Sequence, residues 1–138
     1  MAMQYSVAVR NAKLDVVETV IGVSPVIRFF SGVQPANCAA ANSGNELANG
    51  VLPADWLAAA AGGTKAKSGI WTITGLAAAG LGADIGHYRI YAADGITCHE
   101  QGSVSDVGLG GDMTLDNSNV AQNQVVNVSS YTKTAGNA

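Results

Sequence analysis

Charge is what this 138-residue chain has least of. Only 12% of its residues are charged, about half the share usual in a soluble domain. Acidic residues outnumber basic ones by ten to seven, leaving a formal net charge of −3. A nucleic-acid partner is not expected, because the phosphate backbone calls for a basic face. Cysteine is almost as scarce. Cys38 and Cys98 are the only two, so at most one bridge can form, and with no other sign of an oxidising compartment both read as free thiols. No apolar run approaches the 18 or so residues of a membrane span, so no membrane partner is expected either. The chain also has no uninterrupted apolar segment of the signal-peptide kind, since Arg10, Lys13, Asp15 and Glu18 punctuate its start. Asn127-Val128-Ser129 matches the glycosylation triplet, but without a secretory route it reads as an ordinary strand fragment. The glycines have no period of three, which excludes collagen.

What is present is small and uncharged: 23 alanines, 17 glycines and ten asparagines. The length fits one domain, residues 1–138, large enough for a core without metal or disulfide staples. Ser6 to Gly22 reads as a helix, with Ser6 as N-cap and Gly22 at the C-terminal stop. Its wheel carries two adjoining apolar stripes, Val9-Ala12-Val16-Val20 and Leu14-Val17-Ile21. β-branched residues lower its intrinsic propensity, so it needs a surface to dock on, its own sheet or a partner.

Strand patterns follow at Val26–Phe30, Ile70–Thr74, His87–Tyr91, Ile96–Ser103, Met113–Asp116 and Val125–Thr134, while Val33–Gly50 reads as a loop with at most a short strand near Glu46–Leu52. Asp94-Gly95 marks a hairpin. Pro53-Ala54-Asp55 opens a predicted short helix, Trp56–Ala61, closed by Gly62-Gly63. Short strands at this spacing without βαβ alternation argue for an antiparallel sandwich or barrel.

The chemistry-bearing motifs each favour a structural role. Gly80-Leu81-Gly82-Ala83-Asp84-Ile85-Gly86 has glycines for a phosphate loop, but the spacing is wrong and a strand follows where a helix is required. Cys98-His99-Glu100 lies on a predicted strand, where neighbouring side chains point to opposite faces; Cys98 is expected in the core and His99 outside. Two histidines and two cysteines lack zinc-site spacing. The carboxylates are scattered, the Asp106–Asp116 stretch does not supply a calcium loop, and Gly-x-Ser-x-Gly is missing. No catalytic residue, metal or cofactor is expected. Lys65 and Lys67 lie in a predicted loop with no acidic residue from Trp56 to Ala83; together with Trp56 they are the candidate partner contacts.

The segments Met3–Asp15, Leu52–Trp56, His87–Tyr91, Cys98–Gly102 and Thr134–Ala138 together resemble small proteins of tailed-phage head modules. The chain is similar over its length to head decoration, or cement, proteins such as the jelly-roll cement protein of a Bordetella phage. That resemblance implies a mainly β, jelly-roll-like antiparallel sandwich with an N-terminal helix. It implies a non-enzymatic virion protein, made in the host cytoplasm, that binds the outer surface of the capsid and clamps neighbouring major capsid subunits. Self-association is expected in that role, a homodimer first and a trimer as the alternative, because a lone sandwich contacts one seam poorly. Two other classes stay open: a neck, tail or fibre-associated virion component, and a carbohydrate-binding β-sandwich.

Overall fold

The computed structural model describes residues 2–136; Met1 and the final Asn137-Ala138 of the resemblance lie outside the described residues. One helix, α1 (Val7–Ile21), precedes eight strands: β1 (Val26–Ser31), β2 (Glu46–Val51), β3 (Thr64–Ala66), β4 (Thr72–Gly75), β5 (Ile85–Tyr91), β6 (Cys98–Asp106), β7 (Met113–Leu115) and β8 (Val125–Thr134). The protein is mainly β.

The strands form one sheet in the order β3-β8-β4-β2-β1-β5-β6-β7, and a further β7–β8 pairing closes it. Seven strands thus make a barrel-like ring, with β3 beside β8. All pairs are antiparallel except β6–β7, which is parallel from Val104↔Met113 to Asp106↔Leu115. Closure leaves few free edges, which suits a protein with so little charge to deter edge-to-edge pairing. Strand β8 does most of the closing. It pairs with β7 on one side and, on the other, with β4 over Val125–Asn127 and β3 over Thr132–Thr134.

The core fills the ring. Ile27, Phe29, Leu47, Ile73, Ile90, Met113, Leu115, Val126 and Val128 point inward, joined by Trp56, Trp71, Tyr88 and Tyr131. Trp71 touches both Trp56 and Tyr131, with ring centroids 5.8 and 5.2 Å apart. The strict alternation of β8 breaks between Val128 and Tyr131, because Thr114↔Ser130 is followed by Leu115↔Val128. The extra residue is a bulge, and it turns Tyr131 rather than Ser130 into the core.

The helix forms as its sequence requires. The Ser6 hydroxyl accepts from the Val9 amide at 3.3 Å, and Gly22 ends the helix at φ +90° with its amide bonded to the Glu18 carbonyl. Leu14 and Ile21 are buried and Val17 half-buried against the barrel. The Trp56 indole nitrogen donates to the Gly22 carbonyl at 3.0 Å, tying the helix end to the core.

Two expectations are corrected. No helix spans Trp56–Ala61; α1 is the only one among the described residues. Instead the segment runs extended beside residues 64–68, through the bridges Leu57↔Lys67 and Ala61↔Thr64. Ala61 and Thr64 exchange both backbone bonds, at 2.9 and 3.0 Å, around Gly62-Gly63 at φ +61° and +77°. Both glycines adopt the positive φ of a two-residue hairpin turn, so they reverse a ribbon rather than stop a helix. Burial of Trp56 and Leu57 outweighs the helix propensity of the alanines. For the same reason Lys65-Ala66-Lys67 leads out of this turn along strand β3 rather than lying in a loop.

Candidate functional site

Three places concentrate chemistry or exposed apolar surface. The first is a buried polar knot at one end of the barrel. The Glu100 carboxylate, on β6, accepts from the Tyr88 hydroxyl at 2.9 Å, from the Tyr131 hydroxyl and from the Lys133 ammonium. Desolvation pushes both phenols above the ordinary tyrosine range. Burial pulls Lys133 down to about 8, against the attraction of the carboxylate it contacts. A groove of about 600 Å³ opens beside the knot, lined by Leu14 and Val17 of the helix and by Gln101, Asp112 and Thr132. With three donors converging on one carboxylate, the knot is a satisfied network that joins β5, β6 and β8.

The second is the outer face of β5. His87, Arg89 and Tyr91 point away from the core yet are buried, because residues 32–45 fold back over them. The His87 ring stacks on Phe30 at 5.2 Å and its Nδ1 lies 2.9 Å from the Gly32 carbonyl, so that nitrogen carries the hydrogen. Arg89 donates to the carbonyls of Cys38 and Ala40, at 2.7 and 3.1 Å, and to the Asn42 side chain, which also accepts from the Tyr91 hydroxyl at 2.6 Å. Arg89 therefore holds a covering segment in place, with no carboxylate among its described partners.

The third is the outward face of the helix. Val16 and Val20 are 56% and 61% exposed, and Val9 continues the apolar strip. Val16, Val17, Val20, Ile21 and His99 line a shallow groove of about 240 Å³. Of the two stripes on the wheel, Leu14-Val17-Ile21 docks at home and Val9-Ala12-Val16-Val20 faces solvent.

The structure separates the three candidate contact residues. Trp56 is 0% exposed and belongs to the core. Lys65 is 2% exposed; its ammonium lies 2.7 Å from Asp15 and 2.9 Å from Glu18 of the helix. Neither side chain is free to meet an outside partner, and Lys65 docks the helix instead. Lys67 stays at the surface, half-exposed, donating to the Gly69 carbonyl at 3.0 Å. Cys98 is also displaced from its expected core position. Ile90 pairs with Glu100 but Tyr91 with Cys98, and this bulge at His99 sends Cys98 to the outer face with Tyr91. His99 is exposed, as expected.

Comparison of the chain with protein-family models, with curated proteins and with solved structures finds no match.

Proposed function

We propose that this protein is a structural component of a tailed-phage head, a decoration or cement protein that binds the outside of the capsid and braces neighbouring major capsid subunits by adhesion. The observation that carries the reading is the strip of exposed valines on the helix, Val9, Val16 and Val20, on a molecule whose charge is partly withdrawn inside. Lys65 and Arg89 are buried and Lys133 nearly so, which leaves the exterior poorer in cations than the composition implies. Such a surface loses little solvation energy on being covered, and apolar anchors supply the contact. A closed barrel adds stiffness, so that little order has to be gained on binding.

The jelly-roll relationship belongs to this proposal. A closed seven-strand ring and a jelly roll both wrap strands around a single apolar interior. We also propose that the protein acts as a homodimer. One copy offers one small foothold, whereas two linked copies gain from effective concentration at repeated sites on the shell, by ~10² or more. Light scattering of the purified protein at rising concentration tests this: a dimer is expected, and a monomer throughout contradicts it. The capsid role is tested by mixing the protein with expanded empty heads that lack it. Saturable binding that raises their melting temperature is expected, and no binding overturns the reading.

A further inference from the structure

Cys38 and Cys98, far apart in the sequence and the only cysteines in it, meet on the outer face of the barrel. The bulge at His99 places Cys98 opposite Tyr91. Arg89, two residues before Tyr91 on the same face, fixes the Cys38 carbonyl at 2.7 Å, while Arg89 and Tyr91 together hold Asn42. The covering segment is thereby strapped across Tyr91, which brings Cys38 into the pocket that Cys98 also lines. Both residues line one solvent-open pocket of about 410 Å³. Each is half-buried and outside any disulfide, the Cys98 thiol donating to the Glu100 carbonyl at 3.4 Å, so small reagents can reach them.

We propose that Cys38 and Cys98 form a reversible dithiol–disulfide pair, closed by a low-molecular-weight disulfide, that locks residues 32–45 onto the barrel wall. In the first step one thiol gives its proton to solvent and its sulfur attacks the oxidant. The oxidant's S–S bond breaks, and one small thiolate leaves and takes up a proton. The second cysteine then loses its proton and attacks the protein-side sulfur of the mixed disulfide, expelling the other small thiol. The two cysteines are oxidised and the small disulfide is reduced to two thiols. The covering segment is the right target for such a lock. Its described attachments to the barrel wall are the bonds of Asn45 to the Ser31 amide and hydroxyl and side-chain bonds from Arg89, Tyr91, His87 and Gln101. A covalent link closing a long loop removes freedom from the unfolded chain and from local opening alike.

The test is treatment of the full-length protein with oxidised glutathione, followed by intact mass, peptide mapping and thermal melting. The expected product is a monomer lighter by two hydrogen atoms, with a Cys38–Cys98 cross-linked peptide. Its melting temperature rises by about 5–15 °C, reversed by dithiothreitol. Cys38→Ser and Cys98→Ser should each take one glutathione adduct and show no such rise. Wild-type protein that ends with two glutathione adducts, with disulfides between copies, or with thiols unmodified yet still open to a small alkylating reagent overturns the pairing. An internal bond that leaves the melting temperature unchanged overturns the lock.

Discussion

At Lys65 an ammonium almost without solvent contact is held between Asp15 and Glu18. Burial alone would lower its affinity for a proton, but the two carboxylates outweigh that and raise its pKa above the ordinary lysine value. The Asp15 carboxyl is held below its ordinary 3.8, first by the Lys65 ammonium and then by the Ala60 amide. Below that ordinary value the unfolded chain binds this proton more readily than the folded one. The link therefore stabilises the fold above the ordinary aspartate range and is lost as pH falls through the lowered folded value. Denaturant midpoints between pH 6 and 2 should fall, and Asp15→Asn should flatten the acid limb; an unchanged limb contradicts the assignment. Glu100 is the costlier residue to remove. Glu100→Ala leaves a largely buried ammonium and two buried phenols without their acceptor, and should cost about 3 kcal/mol in equilibrium unfolding. Little of this was legible beforehand. Lys133 stands out as the only charge after Asp116, but nothing local says that it meets Glu100. Such partners are set by strand order across the ring, whereas periodicity reports only neighbours in sequence.

The helix shows how far local signals reach. Ser6, Gly22 and the two valine-rich stripes mark its ends and its faces in the chain itself, because capping and the 3.6-residue period are local physics. Gly22 has φ +90° and ψ −173° with open space where a side chain would go, so Gly22→Ala isolates backbone strain, about 1–3 kcal/mol. Ser6→Ala should cost about 1 kcal/mol through the lost cap. Thermal melts followed by circular dichroism check both; a smaller loss at Gly22 than at Ser6 contradicts the strain argument. The strand Val125–Thr134 was equally plain from its pattern, whereas Glu46–Val51 was legible only as at most a short strand within a loop. Trp56–Ala61 was not. Its alanines favour a helix in isolation, and only the pairing with residues 64–68 makes the segment extended. The bulges at His99 and Ser129 were also invisible, since each needs a partner strand to be out of step with.

On the scale of the whole molecule, scarcity of charge and closure of the sheet belong together. An open sheet with so few charges would expose pairing edges, whereas the ring consumes them and leaves an apolar helix face exposed. Strand content pointed to a sandwich or barrel, but the β7–β8 closure rests on contacts that no pattern of period two records. Adhesion through the helix is the central claim. The most direct measurement is co-sedimentation of wild-type protein and the Val16→Glu/Val20→Glu variant with expanded capsid shells lacking the protein. Both substitutions fall at solvent-facing positions, so the variant should melt within about 1 kcal/mol of wild type. Wild-type protein should pellet in a fixed ratio to the major capsid subunit, and the variant should stay in the supernatant. Equal binding by the two proteins, or none by either, would contradict the account.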